Sequence, residues 1–489
     1  MKFTRLRLLL LAPVFLLIAA APAFAAVTVK LSAAIGHPRA AILVSGTGFA
    51  ANEAVDIYFD TTDTLLVFTD GSGAFTNRKL TVPAAALPGA HWISAIGRRN
   101  GDGNQAQLTV RTNWMEFGFS ETGKRYNPYE NVIGPGNAQA LDLMWRTKFG
   151  GNTNSSPTVM NGVVYIGSND GKLRAISAVT GELKWTAQTG TFVYSVPAVS
   201  HGVVYVGSSD NKLYAFNATT GALKWTATTG GYILSSATVS AGVVYIGCND
   251  GKLYAFNAAT GALLWTATTG SFVYSSPAVV AGVVYVGSYD GKLYAFNAAT
   301  GAVLWTAATG NSIYPSPAIA NGAVYVGSFD GTLYAFDAST GATLWTKATG
   351  VYLNGSPAAA NNTVYFASND GNLYAVNAAT AATRWVTPVA GDLASSPAVA
   401  NGVVYLGGGA SNKTFAFDAA TGAVLWAAPA SDHVYASPAV ADGVVYAASY
   451  DGNLYAYAID GGNDALYHRS ALPPSYASLH PDKRLKPAS

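Results

Sequence analysis

Few residues of this chain have the types and spacing that catalysis or metal binding would need. A hard cation takes about six or more oxygen ligands with charge among them, yet the repeated part of the chain holds one glutamate, Glu182. Most aspartates there fall at turns, which leaves Asp392 and Asp432 as the other loose candidates for an acid cluster. The histidines show no metal-ligand spacing, and no serine elbow, phosphate loop or basic stripe is present. The single cysteine, Cys248, predicts no intrachain disulfide and occupies a position that other repeats fill with serine.

Most of these candidate residues lie in a sequence that repeats every 40 residues. Tryptophan is the most regular residue of that repeat. Successive tryptophans from Trp145 to Trp385 are 40 residues apart, and Trp426 follows 41 later because the loop at 407–413 has one extra residue. An Asp-Gly turn dipeptide recurs with the same period in most copies. Four-stranded propeller blades have periods of about 40–45 residues, whereas the glycine and β-branched content excludes helical repeats.

The predicted strands of one repeat also predict how the ring closes. Asp-Gly and similar pairs between apolar runs are hairpin signals. The first tryptophan strand, at 143–149, has no blade before it, and the last repeat lacks a fourth strand, so pairing the two would close the ring. We therefore expect an all-β fold, with an eight-bladed β-propeller over 143–458 that is closed by an N-terminal strand. The four strands of one repeat are predicted at 275–280, 282–288, 291–297 and 302–308.

The copies differ most in two loops that an antiparallel blade places on one face of the ring. These are the connection from the fourth strand to the next first strand, such as 271–274, and the residue before the aspartate of the second-to-third turn. Variation on a repeated scaffold indicates a binding surface, and exposed aromatic rings favour protein or sugar. The alternative is that many of these rings only pack between blades. The candidate binding face consists of Phe192, Tyr194, Tyr232, Phe272, Tyr274, Tyr289, Tyr314, Phe329, Tyr352, Tyr435 and Tyr450.

The uniform part of the repeat, Ala-x-Asn-Ala-x-Thr-Gly-x-x-x-Trp at 255–265, resembles the tryptophan-docking motif of the pyrroloquinoline quinone (PQQ) propeller family. That family includes eight-bladed quinoprotein dehydrogenases and the lipoprotein of the outer-membrane protein assembly machinery. The resemblance covers 143–458 and implies that the tryptophans pack between neighbouring blades. It also raises PQQ and calcium as ligands, but no acid cluster is visible for them, so we expect no cofactor. The docking residues implied are Trp145, Trp185, Trp225, Trp265, Trp305, Trp345, Trp385 and Trp426.

The remaining sequence predicts four further segments. Residues 1–25 combine a basic head, an apolar run and an A-x-A site, which indicates a signal peptide, with an uncleaved anchor as the alternative. Residues 27–112 alternate short strands with turns and resemble bacterial immunoglobulin-like β-sandwich modules. Residues 113–142 predict a connector lying against the propeller. Residues 459–489 predict an extended tail, partly disordered, with a sorting or docking role as the alternative.

Together these patterns predict an exported protein, periplasmic or secreted, with no lipid anchor because no cysteine follows the predicted leader. No later segment has the roughly 18 apolar residues of a membrane span, and a net charge of +2 does not suggest nucleic acid. We expect a monomeric, non-catalytic PQQ-like propeller that acts as a binding or scaffold protein, with protein or carbohydrate as its partner. The alternatives are a PQQ-dependent oxidoreductase of alcohols or sugars, and a carbohydrate- or wall-binding module.

Overall fold

The computed structural model describes residues 26–99 and 101–462, so the predicted leader and nearly all of the predicted tail lie outside the described residues. Within that part of the chain the fold is almost entirely β. Only two short 3-10 turns, Ala138–Ala140 and Asp460–Gly462, interrupt the strands there. No helix among the described residues is long and apolar enough to cross a membrane.

The N-terminal region consists of two sheets packed around one apolar core. Val44, Ile57 and Leu108 are fully buried between them, as the alternation of apolar and polar residues predicts for a β-sandwich. Its immunoglobulin-like character stays a prediction. The smaller sheet contains Thr28–Leu31, Ala41–Thr47 and Phe75–Thr81. The larger sheet contains Ile35–Gly36, Ala54–Phe59, Thr62–Phe68, Gly89–Gly97 and Gly103–Val110.

The following region forms a ring of antiparallel blades, which confirms the all-β propeller. Each of eight sheets has four strands in the order predicted from the repeat. In blade 8 the strand Leu141–Lys148 pairs with Asn453–Ile459, so an N-terminal strand closes the ring as expected. Blade 7 carries a fifth, two-residue strand, Tyr126–Asn127, parallel to its inner strand. The connector therefore belongs to the ring rather than only lying beside it.

The blades are numbered 1 to 8 in the chain order of their inner strands. The inner strands are Thr158–Met160, Ala198–Ser200, Thr238–Ser240, Ala278–Val280, Ala318–Ala320, Ala358–Ala360, Ala398–Ala400 and Ala439–Ala441. The second strands are Val163–Gly167, Val203–Ser208, Val243–Gly247, Val283–Gly287, Ala323–Gly327, Thr363–Ser368, Val403–Gly407 and Val444–Ala448. The third strands are Lys172–Ser177, Lys212–Asn217, Lys252–Asn257, Lys292–Asn297, Thr332–Asp337, Asn372–Asn377, Lys413–Asp418 and Asn453–Ile459. The outer strands are Leu183–Gln188, Leu223–Thr228, Leu263–Thr268, Val303–Ala308, Thr343–Ala348, Thr383–Pro388, Val424–Pro429 and Leu141–Lys148.

The inner strands are shorter than the sequence predicts. In blade 4 the inner strand is Ala278–Val280 and not 275–280. Pro277 has no N–H to donate to a neighbouring strand, and the residues before it line the ring axis instead. In each blade, residues just before the inner strand therefore line the axial cavity instead of belonging to the strand.

The repeated thirteen-residue segment forms the contact between neighbouring blades. The indole N–H of Trp265 donates to the Ala298 carbonyl at 3.0 Å. The same ring lies over Gly301, where an added Cβ would be 2.6 Å from the indole and where φ is 72°. Only glycine combines this left-handed backbone with so close an approach at little cost. The equivalent bond to an alanine carbonyl recurs from Trp145, Trp185, Trp225, Trp305, Trp345 and Trp385. At the ring closure the indole of Trp426 donates instead to the Leu141 carbonyl at 2.7 Å.

Candidate binding funnel at the ring axis

The connector closes one end of the ring axis by contacting the inner strand of every blade in chain order. Trp114 exchanges both backbone hydrogen bonds with Val159 in blade 1, and Asn127 bonds the Val440 carbonyl in blade 8. Unpaired N–H groups along this inner edge would be costly in a buried channel. The connector therefore supplies acceptors that the blades do not. In blades 2 to 7, the inner-strand N–H groups of Val199, Val239, Val279, Ile319, Ala359 and Val399 donate to Met115, Glu116, Glu121, Thr122, Lys124 and Arg125.

The connector, called the plug where it closes the axis, has three buried ionisable side chains, Glu116, Arg125 and Glu130. Arg125 is 1% exposed and donates to the carbonyls of Phe117, Pro397 and Pro438. Burial lowers the pKa of Arg125 to about 9. Burial likewise raises the pKa of Glu116 to about 8, although the Val239 N–H bond opposes that shift. All three guanidinium nitrogens thus donate to backbone oxygens, so Arg125 fixes the plug, and the Phe117 ring lies 4.6 Å from its guanidinium carbon.

The other end of the axis is an open funnel with a cavity volume of about 520 Å³. Phe117 of the connector lies at its floor. Tyr194, Tyr274, Tyr314 and Tyr435 line its mouth, each from the loop that precedes an inner strand. The variable loops of the repeat and the funnel mouth are therefore on the same face. The N-terminal sandwich is held on the opposite face, where its last strand leads into an ion pair between Arg111 and Asp442 (3.0 Å).

A belt of serines forms the wall below the tyrosines. In each belt bond a backbone N–H donates to the serine hydroxyl of the next blade, as from Ser276 to Ser316 at 2.8 Å. Blade 2 has Val196 at this position, so the ring of bonds is broken only at Ser156, whose neighbour lacks a hydroxyl. Each belt serine is less than 9% exposed. The serine belt is Ser156, Ser236, Ser276, Ser316, Ser356, Ser396 and Ser437.

One carboxylate and two amides complete the funnel wall. Asp392 is the only acidic residue that lines it, beside Asn154 and Asn354, and its lining contains no lysine or arginine. The Oδ1 atom of Asp392 is buried and has no hydrogen-bond partner among the described residues. The negative charge of Asp392 raises the pKa of Tyr435, behind the larger effect of burial. The funnel therefore combines hydroxyl donors with a single negative charge.

The aromatic residues predicted for the binding face all lie at or around this mouth, and none is fully buried. Tyr274 contacts Tyr289 and Tyr314 with ring centroids 5.5 Å apart in both pairs. Burial raises the pKa of Tyr274 to about 12, so its phenol is neutral at physiological pH. Six rings make a continuous group across blades 4 to 6, here called the aromatic rim: Phe272, Tyr274, Tyr289, Tyr314, Phe329 and Tyr352.

The other predicted aromatics form smaller groups. Phe192 and Tyr194 contact each other in blade 2 at 5.9 Å. Tyr435 contacts Tyr450 in blade 8 at 6.3 Å. Tyr232 is 40% exposed in blade 3. The eleven candidates therefore surround the axis on one face, with most of the contiguous ring surface in one sector.

The remaining chemistry candidates are not brought together. Glu182 is exposed in the turn between the third and outer strands, on the face opposite Asp392, and accepts a hydrogen bond from Thr180. Asp432 pairs with its neighbour His433 in the loop that precedes the inner strand of blade 8. Cys248 is buried and its pKa rises to about 11 because of burial, which makes it an unreactive thiol. Among the described residues no group of three or more His, Cys, Asp or Glu side chains could hold a metal ion.

The funnel residues do not fit the cofactor pair that the family resemblance raises. PQQ carries three carboxyl groups, and calcium takes about six to eight oxygen ligands with carboxylates among them. The funnel offers one carboxylate and no basic side chain to such an anion, and Arg125 beneath its floor is already occupied. A tri-anionic ligand beside Asp392 would also be repelled. We therefore derive no chemical step through the quinone.

These features define a β-propeller whose axis is plugged at one end and open, with an aromatic rim, at the other. The chain belongs to the family described as outer membrane protein assembly factor BamB, whose model matches residues 137–273, 255–395 and 389–477. The family resemblance seen in the repeat is thereby confirmed.

Individual relatives of known structure or activity fall into two classes. BamB from Moraxella catarrhalis has a TM-score of 0.58 at 20% identity, over 65% of this chain and 99% of that one. Quinohemoprotein alcohol dehydrogenase from Comamonas testosteroni has a TM-score of 0.62 at 17% identity, over 72% and 81%. The dehydrogenase subunit of a quinone alcohol dehydrogenase from Acetobacter aceti is 29% identical over 110 residues, which are 21% of this chain and 14% of that protein. The structural likenesses establish the fold alone.

The serine belt and the plug are the parts of the site that the sequence prediction missed. The belt serine recurs at the repeat period, as the second residue of Ser-Ser-Pro at 155–157, 275–277 and 395–397 and of related triplets in four other blades, so the belt is visible as a repeat. It was assigned to the inner strand and not to the axis. The connector has no internal period, so nothing in its sequence indicated that Met115, Thr122 and Lys124 bond different blades.

Proposed function

We propose that this protein is an exported, non-catalytic propeller that binds a partner protein through its aromatic rim. The observation that carries the proposal is the continuity of the rim: six rings in contact across three blades, with Phe272 at 42% and Tyr352 at 44% exposed. Large aromatic side chains of this kind are enriched in protein interfaces, where a few of them contribute most of the binding free energy. The family description, an assembly factor, supports an interaction role in the bacterial envelope.

The fold suits such a role because the contacts between blades hold the ring together without the variable loops. The residues of those loops can therefore change without loss of the fold. The tryptophan and glycine contacts between blades recur, whereas the rim varies from blade to blade. A protein partner would bury the exposed rings and leave the opposite face to the N-terminal sandwich. A periplasmic or extracellular location follows from the predicted leader, and it is part of this proposal.

Site-specific crosslinking on the mature chain tests the proposal. A photo-crosslinking residue at Tyr289 should capture one envelope protein, and the same residue at Leu264, on the exposed outer strand of blade 3, should not. The purified pair should then lose about tenfold or more in affinity when Phe272, Tyr289 and Tyr352 are changed together to alanine.

The matched control removes exposed apolar area elsewhere on the ring. Leu264, Leu304 and Leu344 are each about half exposed on outer strands. Their triple alanine variant should bind the partner as the parent does. Equal losses in both triple variants would refute the rim as the contact surface, and melting curves of both variants separate binding from folding.

The second candidate function is a quinoprotein oxidoreductase. Its support is the sequence match to the Acetobacter aceti dehydrogenase subunit, which spans only 14% of that protein. Against it stands the donor set of the funnel, with Asp392 alone among acids and no basic side chain. Addition of PQQ and calcium, followed by absorbance and dye-linked turnover with alcohols and sugars, decides between the two. Tight quinone binding with turnover would overturn the non-catalytic proposal.

A further inference from the structure

The axial funnel has the features of a small-molecule site, and of the aromatic rim only Tyr274 and Tyr314 line it. Its volume of about 520 Å³ falls within the range of about 300–1,000 Å³ that is typical of ligand pockets. It is closed at the floor by Phe117 and open only through the tyrosine mouth. A molecule bound there would be enclosed by the floor and the wall and would remain exposed to solvent at the mouth.

The serine belt gives the wall an unusual hydrogen-bonding capacity. Each belt hydroxyl accepts one backbone N–H, as Ser356 does from Ser316 at 2.8 Å, and this bond fixes the position of the oxygen. A serine hydroxyl can also donate one hydrogen bond, and none of the belt hydroxyls has an acceptor among the described residues. Seven nearly buried donors therefore face the cavity from different directions.

Asp392 supplies the complementary acceptor and selects against anions. Its Oδ1 atom is buried and has no partner in the described part of the chain. A buried carboxylate oxygen is costly unless a donor reaches it. A hydroxyl of the ligand would satisfy that atom, whereas a second negative charge in the same cavity would be repelled because no lysine or arginine lines it.

We propose that the funnel binds one neutral sugar ring, either free or at the end of a glycan. Sugar hydroxyls both accept from the belt serines and donate to Asp392. The apolar face of a pyranose fits the rings of Tyr274 and Tyr314, whose centroids are 5.5 Å apart, and the floor at Phe117. The site does not depend on a partner protein at the rim, so either proposal can fail without the other.

Calorimetric titration of the full mature chain tests the site with named probes. Glucose, maltose, cellobiose and N,N′-diacetylchitobiose are the neutral probes, and glucuronate is the anionic one. We expect one neutral sugar to bind with a stoichiometry of one, and glucuronate to bind at least about tenfold more weakly. The hexasaccharide of the best probe distinguishes the sources: stronger binding than the free sugar indicates a glycan end, and equal binding indicates a free sugar.

The repeat itself provides matched variants for the belt. Valine already occupies the belt position in blade 2, so Ser276→Val combined with Ser316→Val keeps a side chain that this fold accommodates. That double variant should weaken sugar binding by about tenfold or more, and Ser276→Thr, which retains the hydroxyl, should not. Asp392→Asn should reduce the preference for glucose over glucuronate.

The outcomes that overturn the proposal are equally specific. They are no binding of any neutral probe at millimolar concentration, binding that the double valine variant leaves unchanged, or glucuronate binding as tightly as glucose. Loss of sugar binding in the rim variant of Phe272, Tyr289 and Tyr352 would place the sugar on the rim and also refute the funnel. Melting curves of each variant exclude a loss that comes only from unfolding.

Discussion

The contact between a docking tryptophan and the glycine of the next blade can be tested with one added methyl group. In blade 3 a Cβ on Gly261 would lie 2.6 Å from the Trp225 ring, and its φ is 74°. Gly282, in the turn between the first two strands of blade 4, has a φ of 79° but nothing within 4 Å of an added Cβ. The two glycines share the same backbone conformation and differ in whether a tryptophan lies above them.

The expected energies follow from that difference. A left-handed backbone costs a non-glycine residue about 1–2 kcal/mol, so Gly282→Ala should lower the free energy of unfolding by that amount. Gly261→Ala adds overpacking of about 1–3 kcal/mol. It also puts at risk the 3.1 Å bond from the Trp225 indole to Ala258, which is worth about 1 kcal/mol. The total for Gly261→Ala is therefore about 2–6 kcal/mol.

The chain contains a natural counterpart of this change. Blade 6 has Ala381 at the glycine position, with φ at 59°, so one joint of the ring already carries the extra methyl group. Ala381→Gly should relieve the left-handed strain there. It should leave stability unchanged or raise it by up to about 1 kcal/mol, because glycine also gives the unfolded chain more freedom.

Urea denaturation followed by tryptophan fluorescence measures all three variants. The midpoint should fall most for Gly261→Ala, less for Gly282→Ala, and not at all for Ala381→Gly, with similar slopes if the ring unfolds as one unit. Equal losses at Gly261 and Gly282 would mean that the indole moves freely, and the joint would then contribute little to the stability of the ring. A loss of stability in Ala381→Gly would also refute the reasoning, because removal of that methyl group should relieve strain.

Three further changes test the axis and its surroundings. Val196→Ser adds the missing hydroxyl to the belt as an acceptor for the Ser156 N–H, and in urea titrations should be about 1 kcal/mol more stable than Val196→Ala, which also loses the buried valine methyl groups but adds no hydroxyl. Burial raises the pKa of Glu116 from 4.5 to about 8, so the folded chain binds more protons than the unfolded chain between those pH values. Stability should therefore fall as pH rises through that window, and Glu116→Gln should flatten the fall in pH-dependent melting curves. Cys248→Ser restores the residue of the other repeats and should change the melting temperature little; a large loss would show that the thiol packs differently from those serines.

The fold was predictable because each blade repeats nearly the same sequence signals for strands and turns. Tryptophan spacing, glycine turns and apolar alternation agree with one another in every copy, and the strand at Leu141–Lys148 follows from counting the copies. Strand bounds were less accurate at the axis, where Ser276 and Pro277 precede the inner strand instead of belonging to it. Propensity does not separate a short strand from an extended segment that lines a cavity.

The path of the plug was not predictable because most of its bonds to the inner-strand N–H groups use backbone carbonyls. Met115, Thr122 and Lys124 accept inner-strand N–H groups with their carbonyl oxygens, which every residue type possesses. Side-chain pattern therefore carries no record of these contacts. Glu116 and Arg125 look like ordinary surface residues in a polar segment, and only the ring around them removes their side chains from water.

A ring of near-identical blades cannot orient an asymmetric ligand unless some positions depart from the repeat. The tryptophan joints and the serine belt present nearly the same groups from every direction, so they hold the ring and supply donors without choosing an orientation. Orientation must come from exceptions on the axis, among them Val196 in blade 2, Asp392 in blade 7 and the adjacent tyrosines Tyr274 and Tyr314 in blades 4 and 5. These exceptions place a gap in the belt, one negative charge and an aromatic wall in different sectors of a single funnel. The contacts that orient a bound ligand therefore come from the positions where the blades differ. The positions that are identical in the blades stabilise the ring that holds them.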